Sequence, residues 1–260
     1  MSTPAAIRVV ERDLTFLRKI WKANMLGAVV QPLMSLLGVG VGVGSLVDEG
    51  AGNVELLGGV SYFAFYASAI IATATMFVGS QEALWPTMDG FTWSNAYRAA
   101  TSTPITPRDV AAGLMIHYGI RVAISAGGVG LVLALFDETR GPGLLVAVPV
   151  GILTGLAFSM PLAAWTATRT TDNSFPAILR FAIIPMFLFG GAFYPVEQLP
   201  DWLEPVAWVT PLFHGVELSR GAILGGLGAL DALVHLAVLL AFVVGGFVAS
   251  SITFERRLRA

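Results

Sequence analysis

Residues 232–254 read ALVHLAVLLAFVVGGFVASSITF, with no Asp, Glu, Lys or Arg between Asp231 and Glu255. A helix needs about 20 mostly apolar residues to cross roughly 30 Å of hydrocarbon, and this run supplies them. Its apolar positions are continuous, whereas a barrel strand would alternate apolar and polar over about ten residues. Working outward, charge-free runs recur at 23–47, between Lys22 and Asp48, and at 56–81, between Glu55 and Glu82. Two more cover 110–136, interrupted once by Arg121, and 141–168, between Arg140 and Arg169. A further span is assembled from 174–193 and includes Arg180 near its start. The expected fold is an all-α integral membrane protein with six transmembrane helices.

Composition agrees. Of 260 residues, 55% are hydrophobic and 12% charged, with mean hydropathy +0.75. Soluble domains are about 45–50% apolar and about 25% charged. Too few charges remain to solvate a fold of this size, which excludes a soluble enzyme and a disordered chain. The absence of Cys excludes a disulfide scaffold, thiolate metal sites and thiol nucleophiles. A net charge of −2 and a pI near 5.9 argue against nucleic acid as a partner.

Lys and Arg set orientation, since acidic residues count for little. Arg8, Arg12, Arg18, Lys19 and Lys22 precede the first span, Arg98 and Arg108 follow the second, Arg169 follows the fourth, and Arg256, Arg257 and Arg259 close the chain. The opposite connections hold only Arg140 and Arg220 among several acids. Both termini are therefore expected in the cytoplasm, with the lipid bilayer of the cell membrane around the spans. The segment before residue 23 places Ile7, Val10, Leu14, Leu17 and Trp21 at helical spacing, which predicts an amphipathic helix in the cytoplasmic interface, the alternative being a polar extension of span one.

Several chemistries are missing. The chain has two lysines, Lys19 and Lys22, and neither completes the G-x-x-x-x-G-K-[ST] loop that holds nucleotide phosphates. The run Gly38-Val-Gly-Val-Gly-Val-Gly44 lies inside span one, where Gly38/Gly42 and Gly40/Gly44 read as small-residue helix packing. His117, His214 and His235 fall in different segments without metal-ligand spacing. No G-x-S-x-G nucleophile elbow occurs, and no series of acids within the spans suggests a proton relay. Arg121 is the ionisable residue well inside a span. It serves as a counter-charge for an anionic substrate, partners a polar group on another helix, or snorkels to the cytoplasmic interface.

Two connections are richer than linkers. Between spans two and three, 92–100 (TWSNAYRAA) predicts a short helix with Trp93 and Tyr97 on one face, stopped by the Pro104 and Pro107 segment. Such exposed aromatic anchors suit a groove on a cytoplasmic partner. After span five, Pro195, Pro200, Pro205 and Pro211 punctuate a stretch with Trp202 and Trp208 at interfacial positions. Its apolar run 205–216 is too short to cross, so an outer re-entrant hairpin between helices 5 and 6 is expected.

Pro185-Met-Phe-Leu-Phe-Gly-Gly-Ala-Phe-Tyr-Pro-Val-Glu-Gln-Leu-Pro200 continues through Trp202, Pro205-Val-Ala-Trp208 and Pro211-Leu-Phe-His-Gly-Val-Glu-Leu218. Together with Phe91-Thr-Trp93 and Thr103-Pro-Ile-Thr-Pro107, this resembles the membrane subunits of ABC-2 type exporters, and among them the nodulation-type lipo-oligosaccharide export permeases. The resemblance covers essentially the whole chain as one domain: leader 1–22, bundle 23–254 and tail 255–260. It implies a non-catalytic half-transporter that pairs with a second copy, as a homodimer, and with two cytoplasmic ATPase subunits. No cofactor is implied on this chain; ATP and Mg belong to the partner. By position, coupling to the ATPase carries over to Thr92, Trp93, Tyr97 and Arg98. The pathway or its gate carries over to Phe187, Phe189, Phe193, Tyr194, Trp208, Phe213 and His214. The rival from another class is an ion-gradient-driven transporter or channel without an ATPase.

Overall fold

The computed structural model describes residues 5–50 and 53–259, apart from some side chains of the first helix and of residues 53 and 54, and every regular element among them is helical. Helix α1 (Ala5–Ser35) passes into a π-helical segment (Leu36–Val43) and α2 (Gly44–Asp48). Leader and first span are thus one continuous helix, with no break at the boundary expected near residue 22. Between Ala5 and Gln31 the sequence offers no proline, and Gly27 is its one glycine, so nothing there stops a helix. Val9 and Val10 of the leader are buried, and Val9 packs on Gly113. Ile7, expected on the same apolar face, is 41% exposed. The side chains of Leu17 and Trp21 lie outside the described residues.

A short α3 (Asn53–Leu56) and the positive-φ turn at Gly58 and Gly59 precede α4 (Tyr62–Met88). The Ser61 hydroxyl accepts from the Ala64 amide at 3.1 Å and fixes the start of α4. A second π segment (Asp89–Trp93) extends α4, so this helix runs straight through Glu82, which the charge gap had made its boundary. After α5 (Ala96–Thr101), α6 (Pro107–Leu133) opens on a reciprocal cap: Thr106 accepts from the Asp109 amide, and the Asp109 carboxylate accepts from the Thr106 amide. Helix α7 (Leu144–Thr166) follows.

The fifth expected span is a shorter apolar helix, made of α8 (Phe175–Ile178), a π segment (Leu179–Ile183) and α9 (Ile184–Phe189). At 1.5 Å per residue it reaches roughly 22 Å, less than the hydrocarbon thickness. It ends at Gly190 and at Gly191, whose φ of +81° side-chain-bearing residues rarely adopt. A 3₁₀ turn (Val196–Gln198), α10 (Glu204–Val209), α11 (Pro211–Leu224) and α12 (Ala229–Arg259) complete the chain. Among the described residues, five helices are long and apolar enough to cross a membrane.

Helix α4 is the hub, with α6, α7, α11 and the first π segment around it, while α12 lies along α7. In lipid, apolar area alone does not drive helix association, so close packing must. At the α4/α7 crossing Gly79 and Gly155 touch backbone to backbone, leaving no room for a Cβ on Gly79. Of the two glycine pairs in 38–44, Gly40 and Gly44 pack on Phe63 and Tyr62 of α4, whereas Gly38 and Gly42 meet no other helix. Leu26, Met34, Leu240 and Val244 point outward from α1 and α12 as apolar surface.

Candidate functional site

At the end of the bundle that holds the 187–214 stretch, the residues expected to line or cap a pathway form two connected groups. Phe187 meets Phe77 of α4 edge-on at 5.2 Å and Phe193 at 4.9 Å, and Phe193 stacks on Tyr66 at 5.4 Å. Span five therefore leans on α4 through an aromatic ladder. Phe189 and Tyr194 are partly buried beside Val196, Leu199 and Phe213 under the 199–210 segment. Burial pushes the Tyr194 phenol up from its ordinary value, so it stays neutral. Trp208 remains 46% exposed while its ring covers Phe213 at 4.7 Å.

Beneath Trp208, His214 is 2% exposed and His235 of α12 is 4% exposed. His214 Nε2 lies 2.8 Å from the Trp208 carbonyl oxygen. A carbonyl can only accept, so Nε2 carries the proton. Nδ1 of neutral His214 then accepts from Nδ1–H of His235 at 2.7 Å. Two histidines that the sequence places in separate segments thus join α10, α11 and α12. Gly215 lies against Thr154 in the middle of α7, and Ala222 lies against Gly143 at its start. Helix α11 therefore begins deep beside α7 and returns to the end where α7 starts.

Arg220, expected as a loop charge on the outer side, is largely buried, with its side chain 13% exposed. Its guanidinium donates to Glu217 at 2.6 Å and to the Gly191 carbonyl at 2.6 Å, and lies 3.8 Å over the Phe65 ring. The left-handed turn that ends span five is thereby tied to α11 and α4.

Around the 89–98 turn the expected anchors separate. Asn95 adopts φ +51° and breaks the helix predicted over 92–100, so Trp93 and Tyr97 do not share a helical face. Thr92, Trp93 and Arg98 are exposed, Trp93 by 54%. Tyr97 is 1% exposed, edge-on to Phe91 at 4.9 Å and near Phe254 at 6.0 Å. Its burial follows from Gly90, where a Cβ would overlap the Tyr97 ring. Arg257, read from sequence only as tail charge, braces this turn. It donates to the Thr166 and Ala167 carbonyls at 3.2 and 3.3 Å and to the Thr92 hydroxyl at 3.0 Å, over the Phe91 ring at 4.1 Å. Helices α7 and α12 and the turn therefore meet at one cation.

Arg121 donates to Glu82 at 2.6 Å, and His117 lies 3.6 Å from the other carboxylate oxygen. Of the roles open to Arg121, this geometry gives it a partner on another helix. Glu82 escapes a charge-gap reading because any acid there looks like a span boundary. The histidine pair escapes because its members are 21 residues apart.

Comparison with known proteins gives the family. The family described as ABC-2 type transporter matches residues 7–224. The chain is 31% identical over 252 residues to Nodulation protein J of Rhizobium leguminosarum bv. viciae, covering 97% of this chain and 94% of that protein. It is similarly 31% identical over 252 residues to Nodulation protein J of Rhizobium meliloti (strain 1021), covering 97% and 93%. A more distant Nodulation protein J, from Azorhizobium caulinodans, is 24% identical over 220 residues, covering 85% and 84%. With most of its length matched, from the leader through α11, the chain belongs to the ABC-2 type transporter family.

Proposed function

We propose that this chain is the permease subunit of an ATP-driven exporter that moves a hydrophobic or amphipathic substrate out of the cytoplasm or inner leaflet. The substrate class is a lipid-linked saccharide, glycolipid or drug-like molecule. Two permease copies, as a homodimer, work with two cytoplasmic ATPase subunits that carry ATP and Mg. The short helix 175–189 completes a sixth crossing, the leader sits at the cytoplasmic interface, both termini are cytoplasmic, and α10–α11 form a re-entrant hairpin from the outer side of the cell membrane. The reading rests above all on the 92–98 turn. Trp93 and Arg98 stand exposed on a segment braced by Tyr97 and Arg257, which suits a site that must receive force without deforming.

ATP-driven closure of the ATPase dimer displaces this turn. Arg257 and the unbroken α4 carry the displacement to α7 and α12. The outer hairpin, tied to α12 through His214 and His235 and to α4 through Arg220, moves with them and opens the path. Substrate affinity must differ between the inward and outward states for net transport.

Trp93→Ala tests the reading. In proteoliposomes holding permease and ATPase at wild-type stoichiometry, substrate-stimulated ATP hydrolysis should fall about tenfold, the equivalent of about 1.4 kcal/mol. Bundle thermal stability should change by less than about 0.5 kcal/mol, as for other surface changes. Unchanged stimulation would refute the coupling role. The rival ion-gradient reading gains one observation, since Glu82 is an acid inside a span. It requires Glu82→Gln to abolish transport and ATP depletion to leave wild-type transport intact.

A further inference from the structure

The contact between His214 and His235 limits how many protons the two rings can hold while they touch. His214 Nε2 lies 2.8 Å from the Trp208 carbonyl oxygen, so it keeps its proton. The two Nδ1 atoms lie 2.7 Å apart, a separation that admits one hydrogen between them and excludes two. Nε2 of His235 is therefore the one ring nitrogen at which the closed pair can add a proton. Once α11 and α12 part, each imidazole is free to take one from water. The closed pair thus gains at most one proton, and the open pair gains two.

The surroundings offer no counter-charge for the second proton. The Trp208 and Phe213 rings wall the pair, 6.0 and 5.5 Å from the His235 ring. Helix α7, packed against α11 and α12, carries no ionisable residue. On α10 the ionisable group is Glu204, one turn before Trp208, and on α11 Glu217 and Arg220 are joined to each other at 2.6 Å. On α12, Asp231 stands one turn before His235, placed to attract the first proton, which the closed pair can hold. The other charges of α12 lie at its far end, from Glu255 onward.

Acid favours whichever state binds more protons. Below about pH 6.5, where free imidazoles fill, that is the open state, so the closed state loses stability as pH falls. We propose that the His214–His235 pair is an acid-released latch, holding α10 and α11 on α12 at neutral pH and releasing them in acid. The latch needs only this pair of side chains and does not depend on the exporter reading. Once the first proton is on, the ratio of closed to open falls about tenfold for each further unit of pH.

Hydrogen exchange tests this on the full chain in lipid nanodiscs, with any subunits that accompany it. Rates are followed at about pH 7.5 and about pH 5, each peptide normalised to its intrinsic exchange rate. Protection of peptides from 204–224 should fall at least about tenfold at the lower pH, while peptides from 62–88 keep theirs. Return to neutral pH should restore it, which separates release from acid denaturation. His214→Phe/His235→Phe keeps two rings and removes both titrating groups, so its 204–224 peptides should be equally protected at the two pH values. Unchanged protection in the wild-type chain, a loss shared by α4, or no recovery at neutral pH would each overturn the proposal. So would the same loss in the double variant, which would pass the titration to Glu217.

Discussion

At one end of the bundle, Tyr97 is sealed between Phe91 and Phe254 while Trp93, four residues earlier, is 54% exposed. At the other end of the bundle the arrangement differs. The Gly191 turn is buried, His214 is covered, and Arg220 reaches back to hold that turn, while Trp202 and Val209 of the following segment stay exposed. One end offers a surface on a rigid footing; the other folds a buried left-handed turn against α4 and α11. The difference follows from burial. An exposed carbonyl can bond water, whereas a buried one needs a partner within the protein. Arg257 bonds the last carbonyls of α7 at one end, and Arg220 bonds the carbonyl that ends α9 at the other.

The comparison breaks most easily at Tyr97. Tyr97→Ala empties a closed aromatic site and should cost about 3–5 kcal/mol, by analogy with other buried aromatics. Thermal unfolding of the purified chain measures this, and a loss below that of Trp93→Ala would invert the assignment of anchor and surface. Arg220→Met comes next. It leaves Glu217 unpaired and the Gly191 carbonyl without its donor. Breaking a fully buried pair costs about 3–5 kcal/mol, and Glu217 retains some solvent, so about 2–3 kcal/mol is expected. Limited proteolysis in the 190–203 segment should quicken in parallel; an unchanged cleavage rate would argue that the turn holds without the cation. The smallest effect belongs to the histidines. His235→Phe keeps the ring and deletes the donor to His214, for about 1 kcal/mol. Hydrogen exchange localised to α10 and α11 would register it, and no change there would detach the hairpin from α12.

How much of this could be read beforehand depended on whether a residue's partner lay near it in sequence. The 232–254 run announced its helix because absence of charge is a property of the run itself. The Thr106–Asp109 cap was equally local, although the sequence reading passed over it. Tyr97 was read as exposed because its four-residue spacing from Trp93 suggested one helical face. The left-handed Asn95 between them, which breaks that face, is visible only in the fold. Glu82 was taken for a boundary because its neutralising partner, Arg121, is 39 residues away. Span five ends at Phe189, short of the expected 193, for a related reason: Gly190 and Gly191 look like ordinary membrane-helix glycines until Arg220, from another helix, is seen to fix their turn.

The π-helical segments at Leu36–Val43 and Leu179–Ile183 each sit within an otherwise α-helical stretch, and a third, Asp89–Trp93, ends α4 before the break at Asn95. Each wider turn holds extra chain relative to the 3.6 residues of an α turn. Passing one residue out of such a turn would rotate everything beyond it by roughly 100° about the helix axis, without unravelling the helix. Among the described residues the bundle therefore contains two places where a helix can change which side chains it presents while its backbone hydrogen bonds are exchanged rather than lost. One lies between α1 and α2, packed on α4, and one at the root of the short helix whose aromatic ladder leans on α4. A machine that must present one wall inward and another outward has, in those extra residues, the slack to turn its walls.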